Sequence, residues 1–128
     1  ALKVAEFLEN DDRISWVNYP GLKSNKYNSL VDKYLPNGAS GVVSFGVKGG
    51  REAAVKFLDS LKVAAIVTHV ADARTCALHP ASSTHRQLTD QQLEECGVSP
   101  DLVRFSVGIE NVNDIIEDIN QALDKAGK

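Results

Sequence analysis

Apolar residues at Leu2, Val4, Ala5 and Leu8 recur at helical spacing until Asn10-Asp11-Asp12 ends the run. No Ser, Thr, Asp or Asn precedes them as a cap, so the chain is expected to begin inside a helix. Ile14 to Tyr19 is a β-branched and aromatic run of strand length, and Pro20-Gly21 has the chemistry of a type II turn. Asn25 to Leu35 reads as a second helix, with Tyr27, Leu30, Val31 and Tyr34 on one stripe, stopped by Pro36-Asn37-Gly38. From Gly41 to Val47 the pattern becomes alternating: Val43, Phe45 and Val47 point one way, Ser44 and Gly46 the other. Lys48-Gly49-Gly50 is a tight turn into a third helix that buries Ala54, Phe57, Leu58 and Leu61.

Val63 to Val70 is an apolar run of strand length, and Arg74 to Leu78 is a second extended stretch stopped by His79-Pro80. Ala81 to Arg86 is small and polar, hence a loop. Thr89-Asp90-Gln91-Gln92 has the form of a capping box opening a short helix that Gly97 closes. Leu102 to Ile109 reads as a strand. Its apolar set is Val103, Phe105, Val107 and Ile109, and its other face carries Leu102, Arg104, Ser106 and Gly108. The clearest helix runs from Asn111, its cap, to Ala126, with Val112, Ile115, Ile116, Ile119, Ala122 and Leu123 on one stripe and Gly127 at C′. Mixed short strands and amphipathic helices imply an α+β domain, one sheet with helices packed over it.

A length of 128 residues suits one domain. The chain starts at Ala1 and has no methionine, which with the uncapped first helix leads us to expect a piece of a longer polypeptide. The net charge of −3 offers no basic face for a polyanion, and 6% aromatic residues are few for a base-stacking platform, so no nucleic-acid partner is expected. No apolar run reaches the ~18–20 residues of a membrane span, and no membrane partner is expected. Two cysteines, Cys76 and Cys96, are too few for a disulfide scaffold. They fit a reduced, cytoplasmic protein, with both buried as small hydrophobes.

Arg104 stands in mid-strand on the face opposite the apolar set. A guanidinium on a rigid strand, with Ser106 and Gly108 leaving room beside it, is a fork for a carboxylate. The same spacing also fits a salt bridge to an Asp or Glu of the domain. His79 to Leu88 gathers two imidazoles, three hydroxyls and an arginine into a non-helical segment that is either a binding loop or a self-satisfied structural one. Cys76, His79 and His85 do not form a paired zinc signature, and no metal site is expected. His69, just past a strand end, is either a ligand contact or a surface residue. Gly46 to Gly50 lacks the order of a phosphate loop, and no catalytic triad or carboxylate pair stands out.

Asp72-Ala73-Arg74-Thr75, the run His79-Pro80-Ala81-Ser82-Ser83-Thr84-His85-Arg86-Gln87-Leu88, and Arg104-Phe105-Ser106-Val107-Gly108-Ile109-Glu110 resemble the C-terminal part of the Cys/Met-metabolism family of pyridoxal-phosphate enzymes. The O-acetylhomoserine sulfhydrylase branch is the most similar. Val17 to Leu22 and Gly41 to Phe45 fit the same family, so the resemblance covers nearly the whole chain. It implies the small C-terminal domain of a fold-type I enzyme over residues 1–128, a mostly antiparallel sheet with helices on one side. Residues 1–10 would then end an interdomain helix.

The resemblance further implies that pyridoxal phosphate is bound by the N-terminal domain of the same chain, with no cofactor-binding or catalytic residue in this one. By itself this piece is then expected to be inactive. The implied substrates are O-acetylhomoserine and sulfide or a thiol, with acetate replaced to give homocysteine in methionine biosynthesis. The implied assembly is a homotetramer. Arg104 stands where the family grips the substrate α-carboxylate, and Thr84 matches a threonine near that arginine. His69 and Val70 fall in a stretch that touches the carboxylate, although His69-Val70-Ala71 departs from the Ser-Leu-Gly or Asn-x-Gly of relatives. Methionine γ-lyase, cystathionine γ-synthase and a non-catalytic binding module are the alternatives.

Overall fold

A computed structural model describes all 128 residues. In chain order the elements are α1 (Leu2–Glu9), β1 (Ile14–Asn18), a 3-10 turn (Asn28–Leu30) running into α2 (Val31–Tyr34), β2 (Val42–Val47) and α3 (Gly50–Asp59). They continue with β3 (Ala65–Ile66), β4 (Cys76–Leu78), a 3-10 turn (Pro80–Ser82), α4 (Asp90–Glu95), β5 (Leu102–Ser106) and α5 (Val112–Ala126). The strands form one sheet in the order β1-β2-β5-β4-β3, antiparallel except for the β3–β4 pair. The expected α+β layout is what the chain adopts.

Register assigns the faces. Val43 pairs with Phe105, Phe45 with Val103, and Ala77 with Phe105, so these side chains share one face. All are buried, and they join Val4, Leu8, Phe57, Ile115, Ile119 and Leu123 in one core cluster. Helices α1, α3 and α5 therefore cover this face. Phe57 of α3 meets Phe45 edge-on, with ring centroids 5.7 Å apart, and each buried aromatic side chain contributes about 2–3 kcal/mol. At the turn into α3, Gly49 and Gly50 hold φ of +106° and +72°, which a side chain would strain.

The Thr89 capping box forms, with the Thr89 hydroxyl accepting from the Gln92 amide and the Gln92 side chain accepting from the Thr89 amide. Asn111 caps α5 as expected. Gly127 follows that helix with φ −78°, so it ends the helix without a left-handed turn.

Five other expectations are corrected. Tyr19–Leu22 is closed by a Leu22 N–H to Tyr19 O bond, but Gly21 has no positive φ, so the turn is not type II. Gly21 is needed for room instead: a Cβ there would lie 2.6 Å from the Tyr19 ring. The helix expected over 25–35 shrinks to the 3-10 turn and the four residues of α2. Asn25 accepts from the Tyr27 amide and Asn28 donates to the Pro20 carbonyl, and both bonds compete with helical ones. Its stripe stays exposed, Tyr34 by 64%.

The run Val63–Val70 pairs only at Ala65–Ile66. Its neighbours satisfy their backbone groups on side chains of other elements: Val63 and Ala64 on Asp118, Thr68 on Arg104. Strand β5 stops at Ser106, and Ile109 is 86% exposed rather than on the core. Cys76 is buried, but Cys96 is exposed at the end of α4, where Leu93 alone of that helix is buried.

One buried carboxylate holds the α3–β3 connection. Asp118 sits on the apolar side of α5 and accepts from the amides of Lys62, Val63 and Ala64 at 2.8, 2.9 and 3.0 Å. Replacing it by alanine strands three donors that have no other partner. Asp118→Ala is expected to lower the unfolding free energy in urea by about 2–4 kcal/mol, and a loss under about 1 kcal/mol contradicts the role assigned to it.

Candidate functional site

The sheet face turned away from the three helices carries the chemistry. Across it, Asn18 pairs with Ser44, Ser44 with Arg104, and Arg104 with Leu78, one row over four strands. Beside it runs the row Trp16, Gly46 and Leu102. The Trp16 indole N–H and the Ser15 hydroxyl both donate to Asp101 Oδ2, at 3.2 and 2.8 Å. A Cβ on Gly46 would collide with all three groups, so glycine is what lets that network lie flat on the sheet.

Arg104 is half-buried in its row. Its Nη2 donates to the Thr68 carbonyl at 2.9 Å. The ion pairs of the chain are Arg13–Asp11, Arg13–Asp124, Arg51–Asp90 and His69–Asp72, so the internal salt bridge that spacing allowed for Arg104 is not formed. A guanidinium has five N–H donors, and a bidentate carboxylate needs two of them. Arg104 can therefore take a carboxylate from outside the chain.

The segment after β3 borders this arginine. His69 and Val70 are exposed there, with His69 Nδ1 3.4 Å from Asp72 Oδ2. Asp72 also accepts from the Arg74 amide, and this bond first, with the nearby His69 next among the groups favouring charge, holds its carboxyl below the usual range. Ala71 takes φ +59°, and its N–H donates to Ser106 Oγ at 3.2 Å. His69 and Val70 thus lie on the loop whose Thr68 carbonyl touches Arg104, and neither hydrogen-bonds to the guanidinium itself.

Thr84 is placed differently. It is exposed, and its hydroxyl is 2.8 Å from His85 Nδ1, with no hydrogen bond to Arg104. His79, at the head of the same run, is buried: Nε2 lies 2.7 Å from the Pro100 carbonyl and Nδ1 2.7 Å from Ser82 Oγ. A carbonyl can only accept, so Nε2 carries a proton and donates it to Pro100. Nε2 thereby fastens the β4 exit to the chain before β5, while Nδ1 is used within the turn that follows β4.

The motifs around Thr75 and Glu110 form a single unit. Thr75 is fully buried, and Glu110 accepts from its amide at 2.6 Å and its hydroxyl at 2.7 Å. The same hydroxyl accepts from the Gly108 amide at 2.9 Å. A Cβ on Gly108 would sit 2.4 Å from the Ala73 carbonyl, so only glycine allows this approach. Partial burial pushes the Glu110 carboxyl up, but the two Thr75 donors, with its own amide and the Arg74 charge, outweigh that, and the net direction is down. Thr68, whose carbonyl touches Arg104, escaped the sequence reading, and the bond of Ser106 to the loop was not foreseen there. A backbone carbonyl leaves no sequence signal, whereas Ser106 was visible as the hydroxyl beside Arg104.

Residues 1–124 match the family described as Cys/Met metabolism PLP-dependent enzyme. The chain belongs to that family. Among curated Cys/Met-metabolism relatives, an O-acetyl-L-homoserine sulfhydrylase of Leptospira meyeri is 48% identical over 124 residues, 96% of this chain and 28% of the relative. A homocysteine synthase of Schizosaccharomyces pombe is 45% identical, over 98% of this chain and 29% of its own length. Among solved structures, an O-acetylhomoserine (thiol)-lyase of Campylobacter jejuni with N'-pyridoxyl-lysine-5'-monophosphate is 39% identical, with a TM-score of 0.88 over 97% of this chain and 30% of that one. Cystathionine gamma-lyase from yeast is 40% identical, with a TM-score of 0.93 over 100% of this chain and 33% of that one. The chain thus spans about a third or less of the relatives it matches.

The Glu110 clamp has a pH signature. Its folded pKa lies below the unfolded value of about 4.3, so its stabilisation is complete above that pH and is lost as pH falls through the folded value. In thermal unfolding followed from neutral to acid pH, Glu110→Gln is expected to cost stability near neutrality and progressively less below about pH 4.3. A stability gap that stays constant down to the acid limb contradicts the clamp.

Proposed function

We propose that this chain is the C-terminal, carboxylate-binding domain of an O-acetylhomoserine sulfhydrylase, with residues 1–10 ending the helix that joins it to a larger domain. The observation that carries this reading is Arg104: a guanidinium on the open face, free of any carboxylate of its own chain and held by one backbone carbonyl. Identities of 48% and 45% to a sulfhydrylase and a homocysteine synthase favour this branch over the lyases, which share the fold.

The residues of the open face suit an amino-acid substrate's carboxylate and not the cofactor. No strand of this sheet carries a lysine. The groups that hold pyridoxal phosphate are therefore assigned to the part of the relatives that this chain does not span. When bound, that cofactor supplies an electron sink for bond breaking at the substrate α-carbon. What this chain contributes is orientation. Arg104 fixes the α-carboxylate of O-acetylhomoserine by two parallel hydrogen bonds, which sets the direction of the bonds around the α-carbon. The overall change is replacement of acetate by sulfide or a thiol at the γ-carbon. The exposed Val70 and Ile109 border this site and are the apolar surface that the larger domain would cover.

In the complete enzyme, Arg104→Ala is expected to raise KM for O-acetylhomoserine roughly 10- to 100-fold, the worth of a charged hydrogen-bonded pair, while KM for sulfide changes little. Arg104→Lys keeps the charge but loses the fork, and is expected to fall between the two. Steady-state kinetics at varied O-acetylhomoserine check this; an unchanged KM in Arg104→Ala removes the carboxylate role.

A further inference from the structure

A guanidinium at the end of a long flexible stem presents a fork in one direction only if something holds it there. Here a single N–H of Nη2 is anchored, on the Thr68 carbonyl. The position of that carbonyl therefore decides where the remaining donors point. Thr68 belongs to a stretch, residues 68–74, that is exposed throughout, so burial does not hold it. Hydrogen bonds must.

Apart from the Arg104 bond itself and the bonds at its far end, where Glu110 clamps Thr75 and the Ile109 N–H donates to the Ala73 carbonyl, the middle of the stretch is tied to the sheet by the Ala71 N–H donating to Ser106 Oγ at 3.2 Å. Ala71 is a non-glycine residue with φ +59°, a conformation that costs free energy and persists only where its surroundings enforce it. Ser106 is able to enforce it. Its side chain is 2% exposed, and it lies on β5 two residues beyond Arg104, on the same face. The strand that carries the arginine thus also carries the hydroxyl that fixes the loop holding the arginine.

We propose that Ser106 is a positioning residue for the carboxylate-binding arginine, acting through the Ala71 amide and the Thr68 carbonyl. This rests on the reading of Arg104 given above. In Ser106→Ala the Ala71 amide loses its acceptor, the loop relaxes, and the guanidinium samples directions that miss the substrate.

The test is a kinetic double-mutant cycle in the complete enzyme. Ser106→Ala is expected to raise KM for O-acetylhomoserine about fivefold, the worth of one hydrogen bond, with kcat within about twofold and KM for sulfide unchanged. In the Arg104→Ala background the same change is expected to have no further effect, because the group it positions is gone. Ser106→Gly lacks the same acceptor and must reproduce the result, which covers poor folding of the alanine variant. An unchanged KM in Ser106→Ala overturns the proposal. So does an equal effect with and without Arg104, which marks a purely structural role. If Arg104→Ala alone leaves KM unchanged, the arginine reading fails and this proposal falls with it. An effect of Arg104→Ala without one of Ser106→Ala removes the positioning role alone.

Discussion

The contact on which the open face depends is the Glu110 carboxylate receiving the amide and hydroxyl of Thr75. These residues lie 35 positions apart, one leading into β4 and the other beyond β5. Their pairing brings the chain on both sides of them together, and the rest follows. The Thr75 hydroxyl takes the Gly108 amide, the Ala73 carbonyl takes the Ile109 amide, and the segment just before them is left to arch over β5. That arch delivers the Thr68 carbonyl to Arg104 and the Ala71 amide to Ser106. Two short motifs far apart in the sequence, residues 72–75 and 104–110, are in this way one physical object.

The two faces of the sheet divide the work. On the helical face, Phe45, Phe57, Phe105 and the stripe of α5 supply burial, and the hydrophobic effect there needs nothing more specific than size and periodicity. On the open face, stability comes from directional bonds whose partners must be individually right: Trp16 and Ser15 on Asp101, Arg104 on Thr68. Two residues outside glycine have left-handed φ, Ser40 at +104° and Ala71 at +59°. Ser40 leads into β2 and Ala71 touches the end of β5, so both lie at the end of the sheet where Val42 pairs with Ser106. Strain held in place by surrounding bonds commonly marks a site where geometry serves function.

What could be read from the sequence was what periodicity encodes. The alternation of Val43, Phe45 and Val47 gave a strand with its buried face correct, and the capping box of Thr89 and the stripe of α5 were equally direct. Arg104 was legible as a mid-strand cation opposite the core face, and the family motifs around it gave that cation a role. Apolar runs without tertiary partners misled. Tyr27, Leu30 and Tyr34 have helical spacing, but nothing within this chain buries them, and short isolated helices are marginal. Val63 to Val70 has strand composition, yet its amides and carbonyls are taken by Asp118 and Arg104, so little of it enters the ladder. Asp118 itself left a trace in the sequence, an acid at helical spacing within an apolar stripe. Thr68 left none, because its backbone carbonyl does the work.

The central claim is that Arg104, aimed by Thr68, receives the α-carboxylate of an amino-acid substrate on the open face. A crystal structure of the complete enzyme with an O-acetylhomoserine analogue bound tests it most directly. Both carboxylate oxygens are expected within about 3 Å of the Arg104 guanidinium, with the Thr68 carbonyl bond retained. A carboxylate seated on another residue, with Arg104 turned away to an acidic side chain of the larger domain, would contradict it.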